Sequence, residues 1–219
     1  MLILRNQMKI DERRHLVLPV VVDKVTSKQD GKDVTEEVVR IYAYHSPLSR
    51  EVFEANYRIL AATKSALAGK GSHYLMSSGP RIAALTLKDE GKKDAAVRGL
   101  FDSDGNPDDS ETKALFAEIK RLTTILCPGA NGWDMLPVDV AINQGKIDAE
   151  DWEEAASSVV FFTCHYAMAR KADRETVARA TASILASSIT SLAPMEYVGS
   201  LPSLTQVEHT RPAASSIPS

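Results

Sequence analysis

"LVLPVVVDKVTSKQDGKDVTEEVVRIYAY", residues 16–44, is the stretch on which the reading of the whole chain turns. Both halves are rich in β-branched and aromatic residues, and Asp30-Gly31 between them supplies the positive φ angles that a tight two-residue turn needs. The segment predicts one long β-hairpin, with Val17 opposite Tyr44 and Val20 opposite Ile41. Pro19 brings no N–H to a ladder, which pushes the first strand toward a sheet edge. Two strands alone are marginal in water. The hairpin must therefore lie on helices or on another subunit.

From Pro47 onward the apolar period becomes helical. In residues 46–69, "SPLSREVFEANYRILAATKSALAG", Glu51 sits in the first turn, Gly69 supplies a stop, and Val52, Phe53, Ile59, Leu60 and Leu67 gather on one face. A second helix opens near Pro80, capped by Ser77, Ser78 and Gly79, and Gly91 weakens or divides it. A third, in residues 110–126, sets Leu115, Ile119, Leu122 and Leu126 on one face until Pro128 and Gly129 end it. A loop with a short helix follows as far as Gly145. Asp148 then serves as the N-cap of another helix, with Glu150 and Asp151 near its positive end and Ile147 placed to staple onto Trp152. The last helix, in residues 173–192, is dominated by Ala, Ser and Thr, with Val177, Ile184 and Leu185 as its ridge.

Beyond Pro194 periodicity disappears and Pro and Ser accumulate, as in a disordered tail. The expectation is an α+β chain, mainly α, with an N-terminal β-hairpin, a helical bundle of about five helices and a disordered C-terminal tail. Residues 1–193 read as a single globular domain (hairpin 16–44, helical part 47–193) and 194–219 as a flexible tail.

Composition narrows the function classes. With 219 residues, 44% of them hydrophobic and 25% charged, the chain can bury a sizeable core. A net charge of -3, spread over 26 basic and 29 acidic residues, provides no sustained positive field, so nucleic acid is not an expected partner. Two cysteines, Cys127 and Cys164, point to a reducing compartment rather than a disulfide scaffold. The apolar opening before Arg5 is too short for a signal-peptide core, and no apolar run approaches the roughly 20 residues that span a bilayer. No membrane partner is expected.

The chemistry of "VVFFTCHYAMARK", residues 159–171, is the sharpest question left. Cys164 beside His165 invites a nucleophilic reading, which would make the chain an enzyme. Neighbours on a helix project about 100° apart, however, so adjacency does not bring the thiol onto the imidazole. Trp152, Ala155, Val159, Phe162, Tyr166 and Ala169 form one stripe, while Phe161, Cys164 and Met168 form a second on nearly the opposite side. A helix apolar on two faces is buried in a core or shared with a partner. Core packing is the safer reading for each residue singly, and Phe161, Cys164 and Met168 are the partner-binding candidates on this helix. Tyr197, Leu201 and Leu204, an apolar series in the tail, complete the candidate set.

Other site signatures are incomplete. The two cysteines and five histidines show no CxxC, HxxxH or HExxH spacing. The alternating acids of "FDSDGNPDDSE" place Pro107 and Lys113 where a calcium loop needs glycine and glutamate, so a solvated turn is expected there. "AGKGSHY" and "SSGPR" complete neither a phosphate-binding loop nor a nucleophile elbow. No catalytic, cofactor-binding or metal-binding residue is expected, and the work of the chain should be binding other proteins.

The layout from "HLVLPVVV" through "IYAYHSPLSREVFEANYRILAATKSAL", "GPRIAALTL" and "GANGWDMLPVD" to "FFTCHYAMARK" and "SSITSLAPMEYVGSLPSLT" resembles tail assembly chaperones of long-tailed bacteriophages over most of residues 9–205. The resemblance implies a non-enzymatic protein of the host bacterial cytoplasm that binds the tape measure protein, keeps its long apolar helix soluble and recruits tail tube protein. A homo-oligomer is left open. The alternative is a structural virion component, a tail tube or head decoration subunit, in which the hairpin would pair edge to edge.

Overall fold

The computed structural model describes residues 14–29 and 32–201. The hairpin forms as β1 (His15–Gln29) and β2 (Lys32–His45), antiparallel from Leu16↔His45 to Gln29↔Lys32. Asp30 and Gly31, expected to make the turn, lie outside the described residues. Val17 faces Tyr44 as expected, but Ile41 is faced by Val21 rather than Val20. Pro19 lies at this irregularity, where its fixed φ departs from that of a regular strand, while its missing N–H falls on the side away from β2. Leu18↔Ala43 before the irregularity and Val22↔Val39 after it are four residues apart on each strand, so the alternation of faces stays in phase.

The helix expected over 46–69 is two. α1 (Arg50–Ala55) and α2 (Tyr57–Ala68) part at Asn56, whose side-chain amide donates to the Val52 carbonyl at 2.8 Å. A short α3 (Ser72–Ser77) precedes α4 (Gly79–Val97), which runs unbroken through Gly91. The neighbouring α5 (Ser110–Arg121) explains that glycine: a Cβ on Gly91 would lie 1.9 Å from Thr112 Oγ1. α6 (Val138–Asn143) ends before Gly145, and α7 (Ala149–Tyr166) opens with a capping box of Asp148 and Asp151. α8 (Arg174–Ile184), preceded by a 3-10 turn at Lys171–Asp173, and α9 (Pro194–Ser200) complete the described helices.

The hairpin is the centre of a larger sheet. β3 (Thr123–Gly129), β4 (Gly132–Pro137) and β5 (Ser188–Thr190) join it in the order β4-β3-β2-β1-β5, each neighbour antiparallel. Leu122 and Leu126 therefore do not continue a helix. α5 stops before Thr123-Thr124-Ile125, a β-branched run that suits a pleated surface better than a helical turn. The stretch expected as a loop after Cys127 is half of the β3–β4 hairpin. α8 is likewise shorter than expected, because Ala186 at φ 47° turns the chain back into β5 beside the start of β1.

Alternation gives the sheet two faces. Leu16, Leu18, Ile41, Ala43, Ile125 and Cys127 point inward and share one core with Leu60, Leu87, Ile119, Phe161 and Phe162 of the helices. The class is α+β, but the helices pack on the sheet through this common core and do not stand apart as a bundle. α7 packs against both β1 and α4, which is why both of its faces are apolar. Its Ser157 hydroxyl donates to the Pro80 carbonyl (2.6 Å) and accepts from the Ala84 N–H (3.1 Å), bridging two groups that a helical turn pairs directly.

The outer face carries Val17, Tyr44 and Leu126, covered by Tyr197, Val198 and Leu201. This corrects the tail expected from 194: residues 194–200 are helical, and the chain as far as Leu201 is drawn onto the sheet. The reason is non-local, since the outer face of β1–β3 is itself apolar and needs cover. Tyr44 fixes the approach, its hydroxyl donating to the Leu192 carbonyl at 2.5 Å and its ring 5.9 Å from that of Tyr197. Residues 202–219 lie outside the described residues.

Candidate functional site

The site begins where α7 runs out. Its last turn presents Phe162, Thr163 and Tyr166 toward Pro47 and Leu48, which lead from β2 into α1, while Phe53 of α1 and Arg174 of α8 close the sides. Together with Arg50, Glu54 and Ala167 they line a cleft of about 420 Å³. Ser49 places this wall by capping α1, its hydroxyl accepting from the Val52 N–H at 3.3 Å. Phe162 and Tyr166, one turn apart on α7, stack with ring centroids 5.2 Å apart and planes at 11°. The floor is thus aromatic, formed by rings that also belong to the core.

The rim is charged. Arg50 Nε donates to Glu54 Oε1 at 2.7 Å along the exposed side of α1. Arg174 Nε reaches the Ala169 carbonyl only at 3.4 Å, near the limit of a hydrogen bond. An apolar floor with a mixed-charge rim suits aliphatic or aromatic side chains of a peptide, oriented by polar contacts at its border.

The expected binding residues are distributed differently. Phe161 and Cys164 lie wholly inside the core, Phe161 against Gly79, where an added Cβ would come within 3.0 Å of its ring. Met168 packs half-buried at the core margin. Tyr197 and Leu201 are occupied on the outer sheet face, and Leu204 lies outside the described residues. The second stripe of α7 is therefore the one that meets α4, and the first stripe, through Phe162 and Tyr166, reaches the cleft. The signal that could have found it was the aromatic pair one turn apart at the C-terminal end of an apolar helix.

Burial governs the titratable groups nearby. Desolvation pushes the Cys164 thiol up to about 12, and the cation of Lys64 offsets this only in part, so it stays protonated at neutral pH. The His165 ring Nδ1–H donates to the Phe161 carbonyl of the preceding turn (2.7 Å), and burial lowers its pKa. On the inner sheet face, His45 is fully buried and pushed down to about 3, first by desolvation and then by the nearby His15. Thr123 Oγ1 donates to the Ile119 carbonyl (2.8 Å) and so accepts from His45 Nδ1–H (3.0 Å). That tautomer leaves Nε2 as a buried lone pair with no partner among the described residues.

Among the described residues no three His, Cys, Asp or Glu side chains converge as a metal site would require, and no helix is long and apolar enough to cross a membrane. In the loop of 101–111, Asp102 Oδ1 accepts from the N–H groups of Asp104 and Asn106 and closes a local turn. Comparison with protein-family models, curated proteins and solved structures returned no match.

Proposed function

We propose that the chain is a non-enzymatic tail assembly chaperone of a long-tailed bacteriophage, binding the tape measure protein and recruiting tail tube subunits in the host cytoplasm. The cleft at the end of α7 is the observation that supports the binding part of this reading. Leu48 and Phe53, over the nearly buried rings of Phe162 and Tyr166, offer walls for apolar side chains, and Arg50, Glu54 and Arg174 offer polar contacts around them. The identity of the partner rests on the resemblance in sequence. Co-expression with the tape measure protein of the same phage tests it: the full chain should keep that protein soluble and co-purify with it, and Phe53→Ala should reduce recovery. If the full chain neither solubilises nor retains the tape measure protein, the chaperone reading is abandoned.

A structural virion component, a tail tube or head decoration subunit, is the second reading. The length by which the β1–β2 hairpin outruns its neighbours favours it, since strand edges are used to join subunits. An inventory of proteins in the purified virion separates the two, because a chaperone is absent from the finished particle.

A further inference from the structure

The hairpin extends far past the rest of the sheet. β5 pairs with His15, Leu16 and Val17, and β3 with Tyr42 to His45, so among the described residues, 18–29 and 32–41 form a two-stranded arm. At about 3.4 Å per residue the arm is roughly 35 Å long. Val22 and Val25 on it are 43% and 40% exposed. Two strands bury too little apolar surface to hold such a length in water unaided.

The two edges of the arm are not equivalent. Pro19 lies on the β1 edge and discourages the addition of a strand there, whereas the register irregularity is shared by both strands, passing over Val20 of β1 and Arg40 of β2. The β2 edge has no proline. In an antiparallel strand each residue directs its N–H and C=O to the same side, and successive residues alternate. Ser46 N–H donates to the Leu122 carbonyl on the β3 side at 3.0 Å, so the even-numbered residues of β2 face away from β1. On the arm these are Glu36, Val38 and Arg40, whose side chains share the outer face with Tyr42 and Tyr44.

We propose that a second copy of the chain adds to this edge, with residues 35–41 of the two β2 strands antiparallel about a two-fold axis at Val38. Val38 then exchanges backbone hydrogen bonds with Val38 of the partner subunit, and Arg40 stands opposite Glu36 of the partner subunit, twice by symmetry. Moving the axis to Glu36 or to Arg40 sets like charges face to face, so the charge pattern selects both the register and the occupant. Arg40 also donates to Asp23 across the hairpin at 2.9 Å, which holds its guanidinium on the outer face where the partner's Glu36 arrives. The pairing ends before Tyr42, where β3 takes the place of the second copy.

This inference is independent of the tape measure reading, and its test uses the full chain alone. Sedimentation across the micromolar range should show a monomer–dimer equilibrium. Val38→Pro removes an outward N–H and fixes φ at that residue, and Glu36→Arg, at an exposed position, sets two cations opposite each other without touching the backbone. Each should raise the dissociation constant about ten-fold or more while leaving the far-ultraviolet circular dichroism of the diluted protein unchanged. Val38→Cys should oxidise to a covalent dimer, since directly opposed residues of such a pair lie about 5.5 Å apart at Cα, within disulfide reach. Cys127 and Cys164 are buried and do not compete. A wild-type chain that stays monomeric, a dimer insensitive to Glu36→Arg, or a Val38→Cys chain that fails to cross-link overturns the proposal.

Discussion

Acidification from about pH 7 to about pH 5 should destabilise the protein, chiefly through His45. Its imidazole is fully buried, its Nδ1–H is held by Thr123, and its Nε2 has no acceptor among the described residues to meet a second proton. In the folded state it titrates near 3, against 6.5 as its ordinary value. The pKa of this base is depressed on folding, so over the interval between those values the unfolded chain binds a proton that the folded chain does not. Stability therefore rises with pH through this window and is lost as pH falls through 6.5. At about pH 5 the unfolded imidazole is almost wholly protonated, which places the loss relative to about pH 7 at about 2 kcal/mol for this group. Carboxylates held low in the fold, Glu51, Asp109, Glu118 and Glu175, begin to contribute only below that range. Urea denaturation followed by the fluorescence of Trp133 and Trp152, at several pH values, measures the slope. His45→Asn keeps a polar group toward Thr123 but cannot titrate, so it should remove most of the pH dependence, leaving the smaller share of His165, whose pKa is also lowered. Equal slopes in wild type and His45→Asn would refute the argument.

Four further outcomes follow from the packing. Ser157→Ala strands the Pro80 carbonyl or the Ala84 N–H in the α4–α7 contact and should cost about 1–3 kcal/mol in equilibrium unfolding. Gly91→Ala drives a methyl into Thr112 and should cost a similar amount, about 1–3 kcal/mol, with Thr112→Ala restoring part of it in the double variant. Cys164→Ser puts a hydroxyl in an apolar site and should lower stability by about 1–3 kcal/mol, while the native thiol reacts with a maleimide only at the rate of unfolding; rapid labelling of the folded chain would contradict its burial. Tyr197→Ala uncovers Val17, Tyr44 and Leu126 and should cost about 2 kcal/mol by thermal melting, whereas an unchanged melting temperature would mean that α9 does not cover the sheet in solution.

Features that depend on a few consecutive residues were legible in the sequence. Two β-branched runs, in residues 16–29 and 32–44, were enough to show the hairpin, and Asp148 with Asp151 determined the start of α7, because strand-forming runs and caps are settled by local backbone preference and local hydrogen bonds. Periodicity also showed that the 152–169 helix is apolar on two sides. It could not say which side meets α4 and which opens into a cleft, since that depends on the distant Phe53, Leu48 and Gly79. Residues 123–126, expected as the last turn of a helix, became strand where a β-branched run met the edge that β2 offers, which pays for extending the chain. Likewise, Ser188–Thr190 became a strand beside β1, and Tyr197 and Leu201 were drawn from an expected tail onto the sheet. In each case the free energy comes from surface buried against residues far away in the chain, to which local propensity is blind.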